Sequence, residues 1–468
     1  MVIESKANPL SRHGSGRLLA LACAGQFMVI LDASVVNVAL PSIQWELGFS
    51  PGGLTWVVNG YLLAFAGLML SAGRAVDLFG RRRMFVAGLM LFSASSLVGG
   101  LATGAAVLVA ARVAQGAGAA LLAPATLAVI NTGFAAGADR ARAFGAWSAA
   151  GGAGGMAGAI VGGVITGALS WRWVFPINVP IGAVLIAVAA TALPGTPRER
   201  RGRLDPIGTI TATAGLGALV FGVMRGGEHG WTSGQTLVPI GAGVVLLLGF
   251  LTAERYLATS PMMPLRLFGI RRTAAGNAML LWFGAVPIAM WYFTSLLLQE
   301  VLGYDALRSG LGQTPAAVTF VIVARWAALL LTRCGARVPV TIGSGFLLAG
   351  FGLLARTHAG SGYLTAVLGP TLLVATGIGL VFPTLMAVAT ADTPEADAGI
   401  AGGLANTASQ VGGAVALAAL ATVASTRTGA SGTTAALASG YDLVFLVAAG
   451  VAAALAVAGT FLSRHPDR

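Results

Sequence analysis

The sequence predicts an all-α polytopic membrane protein, a bundle of about fourteen hydrophobic helices. Only 9% of its 468 residues are charged, against roughly 25% in soluble globular domains, so the chain has too little charged surface to stay dissolved. Its mean hydropathy is +0.83. Its apolar residues also come in runs that reach the length of about 20 residues needed to cross a bilayer. Glycine occurs 67 times, which would weaken soluble helices but suits membrane helices whose backbones approach closely.

In chain order, the runs place helices near 17–40, 53–73, 83–101, 105–131, 143–168, 173–193, 206–224, 236–255, 273–298, 309–331, 338–356, 363–389, 400–425 and 441–463. The first is too long for a secretory h-region and leads into further spans, so it reads as a helix of the bundle. The loops between helices alternate in charge. One set, with both tails, holds 21 of the 28 basic residues. The other set holds five (Arg172, Arg225, Arg308, Arg356 and Arg427), and Arg112 and Arg325 fall inside helices. The positive-inside rule makes the rich set cytoplasmic, with both termini. The basic excess is thus a matter of topology, and no nucleic-acid partner is expected.

Two Pro- and Arg-bearing linkers, 194–203 and 260–272, divide the chain into a six-helix bundle over 1–193, two additional helices over 204–256, and a second six-helix bundle over 262–468. A faint repeat links the outer blocks. The loop 73–83 (Gly-Arg-Ala-Val-Asp-Leu-Phe-Gly-Arg-Arg-Arg) echoes 329–337, with Gly80 matching Gly335 and an Arg two residues after each. Repeated halves suit a transporter whose site lies between two rocking bundles.

Asp32 is the most informative residue, a carboxyl well inside the first helix. Such a charge costs about 2.5–3.5 kcal/mol at the bilayer centre on insertion scales, and desolvation favours the neutral acid. It is either a proton carrier or a structural carboxyl paired with an Arg. Arg112 in the fourth helix is the matching cation; Arg112, Gln115, Gly116 and Ala119 share one face. Gln26 and Asn37, eleven residues apart, share a face of the first helix, and Asn406 and Gln410 line up on the thirteenth. These amides, with Gln115, are candidates for a cavity wall, and helix–helix hydrogen bonding is the alternative. Trp282 and Trp291 are expected near one face of the ninth helix, as an aromatic platform for substrate or as interface anchors. Arg325 either snorkels to the interface or faces the cavity. The last six helices are expected to hold no embedded acid, so proton coupling rests on the first bundle.

Nothing points to an enzyme. No GxxxxGK[ST] loop, no nucleophile–histidine cluster and no metal-ligand spacing is present, and no cofactor is expected beyond a proton gradient. Cys23 and Cys334 read as packing residues.

Several motifs resemble the major facilitator superfamily, specifically its fourteen-helix drug:proton antiporter branch (the QacA/EmrB type), over nearly the whole chain. Leu31-Asp32-Ala33-Ser34-Val35-Val36-Asn37-Val38-Ala39-Leu40-Pro41 is similar to the branch's first-helix motif. Gly73, Arg74, Asp77, Gly80, Arg81 and Arg82 are similar to the superfamily's loop 2–3 motif. Arg112 with Gln115-Gly116 and Gly118 resembles its fourth-helix motif, and Trp171-Arg172-Trp173-Val174-Phe175 with Asn178 and Pro180-Ile181-Gly182 a signature of the branch. The fifth-helix motif departs from the family pattern: Gly154, Gly158, Gly162 and Gly163 keep its packing surface, but Ala159 stands in place of its Pro.

The resemblance implies a monomeric protein of the plasma membrane, with two six-helix bundles plus two helices, that expels small hydrophobic or amphipathic compounds by alternating access, driven by protons. Asp32 and Arg112 would couple the proton. The loop 2–3 residues would form a cytoplasmic latch, with Arg81 and Arg82 finding partners among Asp392, Glu395 and Asp397. The alternatives are a proton-coupled or facilitative metabolite transporter and a membrane receptor that does not transport.

Overall fold

The computed structural model describes residues 12–134, 138–193, 205–256, 263, 265–358, 360–393, 398–429 and 433–462. Among them, fourteen helical segments are long and apolar enough to cross a membrane. They are α1 (Arg12–Leu47), α2 (Pro51–Phe79), α3 (Arg81–Gly100), α4 (Ala105–Gly133), α5 (Ala138–Ala168), α6 (Asn178–Ala192), α7 (Pro206–His229) and α8 (Gly234–Tyr256). There follow α9 (Arg271–Val301), α10 (Ala306–Cys334), α11 (Arg337–Leu354), α12 (Tyr363–Thr390), α13 (Ala398–Thr428) and α14 (Thr434–Gly459). The end of the bundle where α1 starts is called the near end below, and the opposite one the far end.

Three boundaries differ instructively from expectation. The segment 73–83 is not a loop. α2 runs on to Phe79 and the chain turns at Gly80, whose φ of 90° is left-handed. Only glycine enters that region at little cost. Its counterpart Gly335 makes the same kind of turn between α10 and α11 at φ 72°. α14 begins seven residues before the expected 441, because the Thr433 side chain caps it by accepting from the Ala436 amide. α9 extends past 298 to Val301 by way of π-helical turns over Ile288–Phe293 and Leu297–Val301.

Two helix sets follow from the packing. In the first, α1 lies along α5, while α2 and α3 lie on α4 and α3 also meets α6. In the second, α9 packs on α12 and α13, and α11 on α12 and α14. The sets meet along α5–α10 and α2–α13, and α7, paired with α8, lies against both α2 and α13. One buried cluster of apolar side chains belongs mainly to α1–α6, including Met28, Tyr61, Phe85 and Phe92. Another fills the second set and reaches the far halves of α1 and α2.

Glycines set the closest approaches. A Cβ on Gly154 would lie 2.6 Å from the Phe27 carbonyl oxygen, one on Gly158 2.6 Å from Ser34 Cβ, and one on Gly162 2.9 Å from the Val35 carbonyl oxygen. All three press α5 onto α1. Gly163 faces the other way, toward the Ala306 carbonyl of α10. With Ala159 in place of the Pro, α5 runs unbroken from Ala138 to Ala168 and no proline interrupts it.

Candidate functional site

Asp32 is wholly buried, and the fold gives it three donors. Arg112 Nη1 stands 2.6 Å from Asp32 Oδ2. Gln115 Nε2 donates to Oδ1 at 2.7 Å, and Asn178 Nδ2 donates to the same oxygen at 2.8 Å. The i, i+3 spacing that puts Arg112 and Gln115 on one face of α4 lets both reach the carboxylate. The same Arg112 Nη1 donates to Gln115 Oε1 at 2.7 Å, and Nε donates to the Val57 carbonyl of α2 at 2.9 Å. Its guanidinium carbon lies 4.4 Å above the Tyr61 ring. Ser96 of α3 accepts from Gln115 and Asn178 and donates to the Phe175 carbonyl at 2.7 Å. Five helices thus converge on one carboxylate. A buried ion pair repays its desolvation only when its remaining polar atoms are also bonded, as most are here.

Asn178 and Ser96 are the site residues that sequence reasoning missed. A signal existed for Asn178 in the Trp171–Phe175 signature just before it, and the structure shows what that segment does. Ser170 caps a short 3₁₀ turn over Trp171–Val174. Trp171 Nε1 donates to Glu46 at 2.5 Å, Arg172 pairs with Glu46 at 2.7 Å and donates to the Ala102 carbonyl at 2.5 Å. The signature thereby pins the far ends of α1, α3 and α6 together and sets Asn178 in the first turn of α6, against Asp32.

The other expected residues fall in different places. Gln115 was expected on a cavity wall, but it is only 1% exposed and both its ends are spent in the Asp32 network. Gln26 is half-buried, with its amide toward Gly151 of α5. Asn37 is half-buried too, and its backbone carbonyl accepts from Ser295. Asn406 and Gln410 are half-buried on α13.

The aromatic platform does not form. Trp282 is 59% exposed, on the side of α9 away from Gly276 and Gly284, which press α12 and α13. Trp291 is half-buried against the core of the second set. Nine residues at about 100° each make two and a half turns, so the two indoles point to opposite sides. Arg325 is exposed on the outward stripe of α10 with Val318, Ile322 and Leu329, where a long stem can carry its guanidinium toward the membrane boundary.

In the turn region, Gly80 makes the α2–α3 turn and Gly73 lies near Pro124 of α4. Arg74 is half-buried, and its Nε has no partner among the described residues. Arg81 is half-buried, and Arg82 lines a crevice of about 510 Å³ between α3 and α6 with Arg83, Val86, Met90 and Ile186. The Asp77 side chain, Glu395 and Asp397 lie outside what the structure describes. Asp392, one of three acids considered as partners for Arg81 and Arg82, pairs with Arg272 at 3.3 Å, tying α9 to the end of α12 within the second set.

Two acids lie within the described helices of the second set, one in a last turn and one two turns from a helix start. Glu300 lies in the last turn of α9 and accepts a hydrogen bond from the Tyr441 hydroxyl of α14, itself buried. Asp442 lies two turns inside α14, half-buried, with Oδ1 unpartnered among the described residues. Ending α9 at 298 and starting α14 at 441 had put both residues at or outside the helix ends.

At the far end, α1 and α9 are joined across the two sets. Ser295 Oγ donates to the Asn37 carbonyl at 3.1 Å, and Gln299 Nε2 to the Val38 carbonyl at 3.1 Å. α5 and α10 touch from Gly163–Ala306 near the far end to Gly152–Val321 at mid-length.

The comparisons agree with this arrangement. The chain is similar to the cephamycin export protein CmcT of Amycolatopsis lactamdurans, 45% identical over 443 residues that cover 94% of this chain and 90% of that one. It is 36% identical to the puromycin resistance protein pur8 of Streptomyces alboniger, over 88% of this chain and 82% of that one. Among solved structures, the POT family transporter PepTSo shares the fold with a TM-score of 0.70 at 13% identity, over 97% of this chain and 100% of that one. The model of the Major Facilitator Superfamily matches residues 22–417. A multi-pass helical bundle in two sets, an ionic node across α1 and α4, and these matches together make the chain a transporter of small molecules that belongs to the major facilitator superfamily.

Proposed function

We propose that this protein exports small hydrophobic or amphipathic organic compounds, antibiotics among them, across the cell membrane in exchange for protons. The observation that carries the coupling is Asp32, a carboxyl with no exposure whose partners come from α4 and α6. While ionised it is held by Arg112, Gln115 and Asn178. A proton on it removes the charge that draws Arg112 toward α1. Arg112 then keeps the Val57 carbonyl, Gln115 and the Tyr61 ring as partners. Neutralisation thereby loosens α1 from α4, and protonated and ionised forms favour different arrangements of the bundle. A ligand drives a conformational change only through such a difference in affinity between states.

The cargo class is supported by the relatives, whose names record cephamycin export and puromycin resistance. In this reading 1–193 and 262–468 are the two moving bundles, and 204–256 adds two helices beside them. Both termini face the cytoplasm, as the excess of basic residues at the near end favours. The far end is then exterior, and the α1–α9 seam is the exterior gate, closed here. Gly73, Arg74, Asp77, Gly80, Arg81 and Arg82 form a latch at the cytoplasmic face. A monomer suffices for this cycle.

Transport into vesicles with an imposed pH gradient tests the reading, with puromycin and a cephamycin as probes. Wild type accumulates one of them against its gradient. Asp32→Asn loses the uphill component and keeps downhill exchange. Uphill accumulation by Asp32→Asn at the wild-type rate would remove Asp32 as carrier.

A further inference from the structure

We propose that Glu300 is a second proton-binding carboxyl, placed so that its protonation closes the far-end seam between α1 and α9. This rests on the reading of that seam as a gate and adds to it a site that Asp32 does not provide.

The far half of α9 is not a regular helix, since π-helical turns cover Ile288–Phe293 and Leu297–Val301 and leave only Thr294–Leu296 as α-helix between them. Such turns are uncommon and tend to mark functional segments. The second π stretch carries two adjacent polar residues with different tasks. Gln299 reaches α1 through the Val38 carbonyl and also donates to Ser295 Oγ at 3.1 Å. Glu300, the next residue, turns away from the seam and accepts from Tyr441 of α14. One short segment is therefore fastened to both sides, by amide and hydroxyl bonds to α1 and by a carboxylate bond to α14.

Among the described residues, no cation pairs with Glu300. Tyr441 and Tyr292 are its ionisable neighbours, both at most 5% exposed, and Phe293 joins them by packing on Tyr441 with ring centroids 6.1 Å apart. Asp442 follows Tyr441 on α14, and His358, exposed, stands toward Asp442. Across the seam, the only carboxylate near the far end of α1 among the described residues is Glu46, already taken by Trp171 and Arg172. From α10, Asp305 and Arg308 are exposed and paired with each other. Half-buried here, the Glu300 carboxylate is met among the described residues by one phenol, unlike Asp32, which has a guanidinium and two amides.

The coupling follows from that poverty of partners. Closing the seam moves the π-helical far segment of α9 onto α1 and leaves Glu300 half-buried against Tyr441, stripped of part of its water. That step costs more for the ionised form than for the acid. Protonation from the exterior therefore favours the closed seam. This is the direction an exporter driven by inward proton flow requires.

The experiment reads the seam directly and needs no transport. Spin labels are placed at Trp45 of α1 and Leu364 of α12, exposed positions of the two sets near the far end, after Cys23 and Cys334 are replaced by Ala. Their separation in nanodiscs is measured by pulsed electron resonance across pH, in an Asp32→Asn background that silences the first site. The expected result is a pH-dependent shift from long to short separations as the sample is acidified. Glu300→Gln, always neutral, abolishes the dependence and holds the short separation. Tyr441→Phe keeps the carboxyl but removes its donor from the closed, ionised form, so the transition persists, the fraction of short separations at high pH falls, and the acid plateau is unchanged. A transition with an unchanged midpoint in Glu300→Gln overturns the proposal. A separation that stays short at every pH, with or without puromycin, in the wild-type background overturns instead the reading of the seam as a gate.

Discussion

The first helices of the two sets, α1 and α9, occupy corresponding places and are built in opposite ways. α1 is one helix of 36 residues, continuous through Pro41, and its carboxylate is met by three donors from two neighbouring helices. α9 is broken into α and π turns, and its carboxylate Glu300 has a tyrosine hydroxyl as its hydrogen-bond donor. In the first set the chemistry is fixed by a carboxylate with both oxygens bonded. In the second, the backbone is irregular and the charge thinly supported. A transporter needs both, a site held in register and a segment able to change its contacts.

The sharpest way to break this contrast is to remove the cation on the α1 side. Arg112→Ala leaves Asp32 buried without its counter-charge and is expected to cost about 3–5 kcal/mol of stability, read as a lowered unfolding temperature in detergent. A loss below 1 kcal/mol would mean that Gln115 and Asn178 alone satisfy the carboxylate and that α1 is no more saturated than α9. A smaller effect tests the rigid seam behind α1. Gly158→Leu puts side-chain atoms where a Cβ already lies 2.6 Å from Ser34, and overpacking of this kind costs about 1–3 kcal/mol. The measurement is thermal stability together with cross-linking of α1 to α5. The smallest effect belongs to α9. Gln299→Ala removes the donor to Val38 and is expected to cost about 1 kcal/mol, biasing the far end toward opening. Faster alkylation of a cysteine placed at Asn37 would report it, and an unchanged rate would show that Ser295 alone holds the seam.

Much of the architecture was legible from sequence because a bilayer leaves few choices. A chain in oil must satisfy its backbone internally, so apolar runs become helices and their count can be read. Gly80 and Gly335, matched by a faint repeat, both prove to be left-handed turns, since the need for a positive φ is local and visible in the residue type. Asp32 and Arg112 stood out as charges in apolar runs. Asn178 and Ser96 did not, because an amide or a hydroxyl in a membrane helix carries no comparable penalty that would single it out. Glu300 was missed for a different reason. It lay two residues past an assigned helix end, and the π turns that carry α9 onward have no signature in hydropathy. The aromatic pair Trp282 and Trp291 failed on elementary geometry, nine residues being a half-turn out of phase.

The sequence by itself determined that this chain crosses a membrane about fourteen times and that one acid and two arginines lie among apolar residues, because hydrophobic length and the cost of stranded charge are properties of the linear chain. Only the tertiary structure decided that Asp32 and Arg112 meet, that Asn178 and Gln115 complete their shell, that Asp392 serves Arg272, and that Glu300 reaches Tyr441. Those outcomes depend on which helix faces are pressed together across gaps of tens to hundreds of residues, and glycine contacts such as Gly158 on Ser34 fix those faces through steric fit between distant segments.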